Sequence, residues 1–267
     1  MPHCKVMTVL GTRPEAIKLA PVLRQLDARP DRFVSRLCTT AQHRQMLDQA
    51  LEAFGLRPDH DLDIMTPGQS LADLTSRAIA ALDQVVASER PDVVLVQGDT
   101  TTAFCGALAA FYHKVPVGHV EAGLRTGDKY APFPEEANRS FISQIADYHF
   151  AATDRARAAL LQAGTSADRV FVTGNTVIDA LLWMRERVAA TPPALAAHLG
   201  PVLSGRDVVL VTGHRRESFG AGFEHICRAI RDVADAFPDS LFFNRFTSTP
   251  ACANRYIASS ATTPASA

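Results

Sequence analysis

Short apolar runs alternate with longer amphipathic segments along the first 150 residues of the chain. The run CKVMTVL (residues 4–10) is typical of a strand, and in PEAIKLAPVLRQL (residues 14–26) the apolar positions recur with the period of a helix. Further strands are predicted at FVSRLCTT, LDIM, DVVLVQ, VPVGHV and DYHFAAT. Alternation of this kind predicts the α/β fold class, with a parallel sheet and right-handed crossovers.

Amphipathic helices are predicted between these strands, in AQHRQMLDQALEAFG, SLADLTSRAIAALDQVVASE, TTAFCGALAAFYH and PEEANRSFISQIA. The strand DVVLVQ is almost entirely apolar, as expected for a strand that helices cover on both faces. Ligands of open parallel sheets bind at the carboxyl ends of the strands. The polar loops that follow the strands are therefore the first places to look for function.

The strand and helix pattern begins again near residue 170, with RVFVTG, TVIDALLWMRERVAA, DVVLVTG and GAGFEHICRAIRDVADAF. We therefore predict a first doubly wound domain at 1–173 and a second, incomplete one at 174–246, because a domain of typical size needs more residues. Serine, threonine, alanine and proline dominate from Thr247 onward, with no apolar period. Residues 247–267 are predicted to form a disordered or aberrant tail.

Composition narrows the class of protein. The 267 residues are 47% apolar and 21% charged with a net charge of −1, which fits a globular chain and favours neither nucleic acid nor an anionic membrane as partner. No apolar run reaches bilayer length, and we see no signal peptide. The five cysteines lack CxxC spacing, which disfavours a zinc site or a disulfide framework and favours the cytoplasm.

The segment GTRPEAIK follows the first predicted strand. Gly11 permits a tight turn, and Arg13 and Lys18 can direct two cations toward a ligand over the helix N-terminus, which outlines a phosphate site. An ordinary strand–helix turn with a surface arginine and lysine explains the segment equally well. The segment is neither GxGxxG nor a Walker loop, which disfavours hydride transfer and P-loop ATP hydrolysis.

Carboxylates follow two successive strands. Asp99 in QGDTTTAF and Glu121 in VEAGLRTGDKYAPFPEEANR lie just past strand ends, and Glu135 opens the next helix. Three carboxylates at one cleft could supply acid and base groups on two faces of a ligand. On its own, however, Asp99 or Thr100 is more simply explained as the cap of the next helix.

Simpler explanations also exist for the rest of this stretch. Glu135 and Glu136 suit a helix start, where the dipole favours acids, and Arg125, Asp128 and Lys129 suit a solvated loop.

Basic residues follow the strand DVVLVTG. In VTGHRRESFG, one titratable ring and two cations, His214, Arg215 and Arg216, stand at a strand end and favour an anion site. His43 and His119 are weaker candidates, and His119 alternates with apolar residues as a core histidine does.

Six motifs occur in one order: GTRPEAIKLAPV, TAQHRQMLDQ, GDTTT, PVGHVEAGLRTGDKYAPFPEEANR, FVTGNTVIDAL and VTGHRRESFG. Together they resemble the non-hydrolysing UDP-N-acetylglucosamine 2-epimerases of bacteria, from about Lys5 to about Pro238. The resemblance implies two Rossmann-like domains of the glycosyltransferase-B type with the active site in the cleft between them. It implies a UDP-sugar substrate, no metal or nicotinamide cofactor, a homodimer, and a product used for cell-envelope polysaccharide.

The resemblance also implies roles for particular residues. The catalytic positions are Asp99, Glu121, Glu135 and His214. The substrate-binding positions are Arg13, Lys18, Arg139 and Arg215. The allosteric positions are Gln42 and Gln45.

The chain departs from the family pattern after the helix that ends near Phe237. The segment SLFFNRFTSTPACANRY stands where the family carries a histidine segment for allosteric binding, and the later Ser-Gly-Gly and Glu-Glu uridine motif does not occur. We expect from this a truncated second domain, caused by a frameshift or misjoined end. Three alternatives therefore stay open: an inactive fragment that binds phosphate or a partner chain, a glycosyltransferase of the same fold, and a hydrolysing 2-epimerase.

Overall fold

The computed structural model describes residues 3–41, 44–66, 68–192, 205, 207–212, 221–237 and 240–245. The chain divides into two compact units, Met1–Pro192 and Pro193–Ala267. The strands of the first unit are β1 Cys4–Leu10, β2 Phe33–Thr39, β3 His60–Asp61, β4 Val93–Gln97, β5 Val117–Ala122, β6 Tyr148–Ala151 and β7 Val170–Val172. Its helices are α1 Arg13–Asp27, α2 Arg44–Phe54, α3 Leu71–Glu89, α4 Thr101–Tyr112, α5 Glu135–Ile145, α6 Asp154–Gln162 and α7 Thr176–Ala190.

The seven strands form one sheet in the order β3-β2-β1-β4-β5-β6-β7, and every neighbouring pair is parallel. The predicted α/β fold class with a parallel sheet is confirmed. The chain winds outward to β3 on one side of β1 and then returns to β4 on the other side. The loops after β1 and β4 therefore diverge, and such a switch point is where open parallel sheets bind ligands.

Helices cover the sheet on both faces. On one face, α3, α4 and α5 bury Leu82, Ala107 and Ile142 against Val9 and Val96 of the central strands. A second cluster packs α1 and α2 against the sheet, and a third joins α6 to β5, β6 and β7. Burial on both faces explains why β1 and β4 read as nearly continuous apolar runs.

Side chains at the N-terminal ends define where several helices begin. Thr100 caps α4 by accepting a hydrogen bond from the amide of Ala103 at 3.0 Å, and Thr153 caps α6 in the same way from Ala156 at 3.2 Å. Ser70 and Asp73 form a reciprocal capping box on α3. Helix α4 starts directly after Asp99, at the edge of the sheet where the candidate site lies.

Two sequence predictions of secondary structure need correction. The strand predicted at LDIM is wrong, because β3 comprises only His60 and Asp61. The amide of Leu62 still bonds to Thr39, but Asp63 turns into the left-handed region at φ 41° and the chain leaves the sheet. Helix α6 was missed between DYHFAAT and RVFVTG, although Thr153 and the following alanine and leucine residues form it.

Helix α7 belongs to the first compact unit, whereas the sequence placed the domain boundary near residue 173. The ring of Trp183 stacks on Phe54 of α2 with centroids 5.2 Å apart, and Ala180 is buried beside Ala20 of α1. These contacts keep α7 on the first unit, which extends to Pro192.

The second unit is described in three elements, β8 Asp207–Thr212, α8 Ala221–Ala236 and β9 Ser240–Arg245. Strands β8 and β9 pair in parallel over six residue pairs, as expected for the start of another α/β unit. Val208 and Leu210 of β8 are 45% and 63% exposed. No helix in the described residues is both long enough and apolar enough to cross a bilayer.

Candidate active site

The carboxyl ends of β1, β4 and β5 bring the candidate residues to one edge of the sheet. Gly11 follows β1, Gly98 and Asp99 follow β4, and Glu121 is the penultimate residue of β5. The backbone amide of Gly98 bonds to the carbonyl of Val120 at 3.0 Å, which ties the two strand ends together. Asp99 and Glu121 are thus neighbours, as the sequence predicted from their successive strands.

The Glu121 carboxylate accepts hydrogen bonds from three elements. Its Oε2 accepts from Lys18 Nζ of α1 at 2.6 Å and from Gln97 Nε2 of β4. Its Oε1 accepts from Asn175 Nδ2 at 2.9 Å, just before α7. Because its side chain is only 10% exposed, these donors replace most of the water that would otherwise solvate its charge.

The backbone at Glu121 is strained. Its φ is 61°, a left-handed conformation that is uncommon for a residue other than glycine, and the pairing of β5 with β6 shifts register between Val120 and Ala122. A bulge at a strand end redirects the side chain there. Backbone strain of this kind clusters at functional sites, where surrounding contacts maintain it.

Asp99 does not cap helix α4, because Thr100 does so. Its carboxylate is instead bound by the guanidinium of Arg139, and its carbonyl accepts a hydrogen bond from Asn138 Nδ2 at 3.0 Å. Burial raises the pKa of Asp99, and the nearby charges of Glu135 and Glu121 raise it further, while Arg139 opposes both. Of the two capping residues that the sequence offered, Thr100 is the cap, and the carboxyl group of Asp99 holds a proton more readily than an ordinary aspartate does.

The two glutamates that open α5 have different surroundings. Glu136 is buried, and its Oε1 accepts from the amide of Thr126 at 3.1 Å while its Oε2 lies 3.1 Å from Arg139 Nη1. Glu135 is half-buried and makes no hydrogen bond to the described residues. Glu136 therefore holds the loop before α5 in place, and the carboxylate of Glu135 is available to bind a ligand.

The start of α1 is less open to an anion than its sequence indicated. Glu15 is buried, and its carboxylate accepts from the amides of Gly11 and Thr12 at 2.9 and 2.7 Å and from the Thr100 hydroxyl at 2.6 Å. Two backbone donors that a phosphate would use are thus already occupied. Burial raises the pKa of Glu15, and these hydrogen bonds oppose the rise.

The two cations of GTRPEAIK, Arg13 and Lys18, differ in burial and in their partners. Lys18 is half-buried and pairs with Glu121, whereas Arg13 is exposed and makes no hydrogen bond or ion pair within the described part of the chain. Gly11 is required by close packing: a Cβ atom there would lie 2.3 Å from the hydroxyl oxygens of both Thr40 and Thr102. Arg13 is therefore the cation left available to a ligand.

His119 is a core residue, as its alternation with apolar neighbours indicated. Its Nε2 donates to the carbonyl of Gly98 at 2.7 Å, and burial lowers its pKa to about 3, so the ring is neutral. Arg125 is more than a solvated loop residue, because it donates to the Ser143 hydroxyl at 2.8 Å and to the carbonyl of Leu124 at 2.7 Å. His119 therefore holds the loop after β4, and Arg125 holds the loop after β5 against α5.

Several sequence candidates lie outside the described residues: Gln42, His43, His214, Arg215 and Arg216. Gln45 is described and lies exposed in the first turn of α2.

Sequence reasoning missed Gln97, Asn138, Asn175 and the bridging role of Glu15. Two signals could have found the donors to Glu121. Gln97 is the one polar residue that ends the otherwise apolar run VVLVQ, and Asn175 precedes a helix in TGNT, where a capping residue is expected. Their contact with Glu121 joins residues 24 and 54 positions apart, which no local pattern reveals.

The arrangement suits proton transfer beside an anion. Glu121 is surrounded by donors, Asp99 has a raised pKa, and Glu135 has no hydrogen-bond partner in the described residues. Carboxyl groups in such unequal surroundings can divide the roles of acid and base. Among the described residues, no three histidine, cysteine, aspartate or glutamate side chains are grouped so as to hold a metal ion.

Comparison with known proteins gives a consistent family. The family model described as UDP-N-acetylglucosamine 2-epimerase matches residues 24–262. The UDP-N-acetylglucosamine 2-epimerase of Yersinia pestis is 55% identical over 238 residues, which cover 88% of this chain and 63% of that protein. That of Salmonella typhimurium strain LT2 is 56% identical over 236 residues, covering 87% of this chain and 62% of that protein. The chain thus spans about 63% of the length of these curated relatives.

The same family appears among solved structures. The crystal structure of UDP-GlcNAc 2-epimerase from Neisseria meningitidis bound to UDP-GlcNAc matches with a TM-score of 0.84 and 43% sequence identity. The match covers 97% of this chain and 70% of that one. It confirms the predicted glycosyltransferase-B fold class.

Proposed function

The chain belongs to the UDP-N-acetylglucosamine 2-epimerase family, and from that membership we propose that it interconverts UDP-N-acetylglucosamine and UDP-N-acetylmannosamine. The observation that carries the proposal is the group of three carboxylates, Asp99, Glu121 and Glu135, at the switch point of the sheet. Their surroundings differ, as a reaction that both removes and returns a proton requires.

The C2 proton of the sugar is not adjacent to a carbonyl, so its direct removal is too costly. In the proposed reaction the bond between C1 and the diphosphate oxygen breaks first, and UDP leaves with the electron pair. A carboxylate then takes the C2 proton, which forms a double bond between C1 and C2 and gives 2-acetamidoglucal. A carboxylic acid returns a proton to the other face of C2, and the diphosphate oxygen bonds to C1 again.

The described side chains support parts of this scheme. A carboxylate such as Glu121 stabilises the cation that forms when UDP leaves, and Asp99, with its raised pKa, is suited to carry a proton. We propose that Arg13, which is exposed, stabilises the departing diphosphate together with Lys18 and His214, and that Arg139 and Arg215 bind the substrate. We also propose that Gln42 and Gln45 serve an allosteric nucleotide-sugar site.

The test is turnover of UDP-N-acetylglucosamine by the purified chain, with UDP-N-acetylmannosamine as the product measured. Asp99→Asn, Glu121→Gln and Glu135→Gln should each lower turnover about a hundredfold or more. Asp128→Asn is the matched control, because Asp128 lies in the loop between Glu121 and Glu135 and its side chain bonds only the amide of Tyr130, so turnover should not change. Near-normal turnover in all three variants would overturn the carboxylate mechanism.

The same assay separates the alternatives. Release of free N-acetylmannosamine and UDP would identify a hydrolysing 2-epimerase, and transfer to an acceptor would identify a glycosyltransferase. An inactive chain beside an active Yersinia pestis relative would identify a fragment that binds without turnover.

We also propose that the chain forms a homodimer in the cytoplasm and serves the synthesis of cell-envelope polysaccharide. Exposed aromatic side chains on α4 and α5 support a protein contact, since Phe111, Tyr112 and Phe141 are 55%, 62% and 54% exposed. Light scattering after size exclusion should give twice the chain mass, and Phe141→Asp should lower it. A monomer mass for the unmodified chain would contradict the proposal.

A further inference from the structure

The hydrogen bonds around Glu121 are distributed unequally between its two oxygens. Oε2 accepts from both Lys18 and Gln97, whereas Oε1 accepts from Asn175 alone within the described residues. A carboxylate offers about four acceptor positions, two on each oxygen. The position that stays open is therefore on Oε1, the oxygen that Asn175 binds.

The orientation of the Asn175 amide follows from its place in the fold. Asn175 is the N-cap of α7, and its Oδ1 accepts a hydrogen bond from the amide of Val177 at 3.1 Å. An asparagine side chain has one acceptor end and one donor end. Because the cap requires the oxygen, the donor end must face Glu121, where it lies 2.9 Å from Oε1.

The carboxylate is thus held at both oxygens by three separate elements. Lys18 comes from α1, Gln97 from β4 and Asn175 from the start of α7. Gln97 is buried, and the backbone of Glu121 is held in its left-handed conformation, so little freedom remains. Reacting groups must be placed to within a fraction of an ångström, and supporting hydrogen bonds provide that precision.

We propose that Asn175 is a positioning residue that aims the open acceptor position of Glu121 Oε1 at the substrate, an inference that rests on the proposed epimerisation. Asn175 touches Glu121 and contributes through it. Its effect should therefore appear in the rate of the chemical steps and leave substrate affinity nearly unchanged.

Two substitutions separate this role from helix capping. Asn175→Ser keeps a good N-cap but is too short to reach Glu121. Asn175→Asp keeps both the cap and the side-chain shape, and it replaces the donor that faces Glu121 with a second carboxylate oxygen. Thr153→Ala is the control. It removes the side-chain hydrogen bond that caps α6, from the amide of Ala156 to the Thr153 hydroxyl, and Thr153 makes no hydrogen bond to Glu121.

Each variant is measured in the full chain by two methods. In carbon NMR without substrate, the chemical shift of the Glu121 carboxyl carbon should change in Asn175→Ser and Asn175→Asp. It should stay the same in Thr153→Ala. Turnover of UDP-N-acetylglucosamine should show kcat lowered about ten- to a hundredfold in both Asn175 variants, with KM nearly unchanged. Thr153→Ala should lower thermal stability while keeping kcat.

An unchanged chemical shift of the Glu121 carboxyl carbon, or an unchanged kcat in folded Asn175 variants, would overturn the positioning role. A loss of kcat in Thr153→Ala equal to that in Asn175→Ser would also overturn it, because capping alone would then explain both. If the unmodified chain shows no turnover, the proposed function fails, and the resonance alone decides whether Asn175 holds Glu121.

Discussion

The ammonium group of Lys18 lies 2.6 Å from Oε2 of Glu121, and this ion pair joins helix α1 to the end of strand β5 across 103 residues of sequence. The side chains are 24% and 10% exposed, so the pair is shielded from most of the solvent. A lysine that sequence motifs place with the substrate is, in this structure, the counter-ion of a candidate catalytic carboxylate.

Lys18→Met should destabilise the protein, because the aliphatic stem remains while Glu121 loses its counter-ion in a nearly buried site. We expect a loss of about 1–3 kcal/mol in the free energy of unfolding, measured by urea denaturation. Arg44→Met is the control, since Arg44 pairs with Asp61 at 2.7 Å but is 47% exposed, and its loss should be clearly smaller than that of Lys18→Met. Equal losses in the two variants would show that the Lys18 pair is no stronger than a surface pair.

Asp99 should make stability depend on pH in a defined direction. Burial raises its pKa in the folded state above the ordinary value of 3.8, so the folded state binds this proton more tightly than the unfolded state. Its stabilising contribution is complete below 3.8 and is lost as pH rises through the folded pKa. Relative to Asp99→Asn, the unmodified chain should therefore lose free energy of unfolding as pH rises.

Asp168 is the control for that experiment, because its pKa is lowered and its effect on the pH dependence of stability has the opposite sign. A hydrogen bond from Ser166 lowers the pKa of Asp168 below 3.8, so its contribution is present above that value and lost as pH falls through the folded pKa. Urea denaturation over a pH series from below 3.8 to neutral, with Asp99→Asn and Asp168→Asn, should give differences of opposite slope. The same slope in both would contradict the role assigned to burial at Asp99.

Gly11→Ala should destabilise the first unit by overpacking. The added methyl group would lie 2.3 Å from the hydroxyl oxygens of Thr40 and Thr102, which bond each other at 2.8 Å, and the expected cost is about 1–3 kcal/mol. Gly106→Ala is the matched comparison, because its methyl group would lie 3.1 Å from Val9 and Val96 and would also favour the helix. Thermal unfolding should show a clearly larger loss for Gly11→Ala, and a reversed order would refute the packing argument.

Arg13→Ala should weaken binding of the UDP-sugar without affecting the fold. Arg13 is exposed and has no ion-pair partner in the described residues, so its removal should raise KM about tenfold and leave the melting temperature unchanged. Added salt should narrow the difference between the variant and the unmodified chain. Arg32→Ala removes a similarly exposed arginine over Phe33 and should leave KM unchanged, so an equal rise there would point to net charge alone.

Local patterns were sufficient for most of the architecture. Apolar runs and helical periods along the chain predicted six of the seven strands of the sheet and all but one of the helices of the first unit, because burial on one or two faces leaves a direct trace in sequence. The exceptions are instructive. The two-residue strand β3 ends where Asp63 adopts a positive φ, and α6 is short enough for its cap at Thr153 to matter more than its period.

The sequence by itself also determined which edge of the sheet carries Asp99, Glu121 and Glu135, since the carboxyl ends of parallel strands meet at one edge. Only the tertiary structure decided what surrounds each of them. It placed Lys18 and Asn175 on Glu121 and Arg139 on Asp99, and it filled the start of α1 with the carboxylate of Glu15. These contacts join residues distant in sequence, and their strength depends on burial and on distances of a few ångströms, which a one-dimensional pattern does not contain.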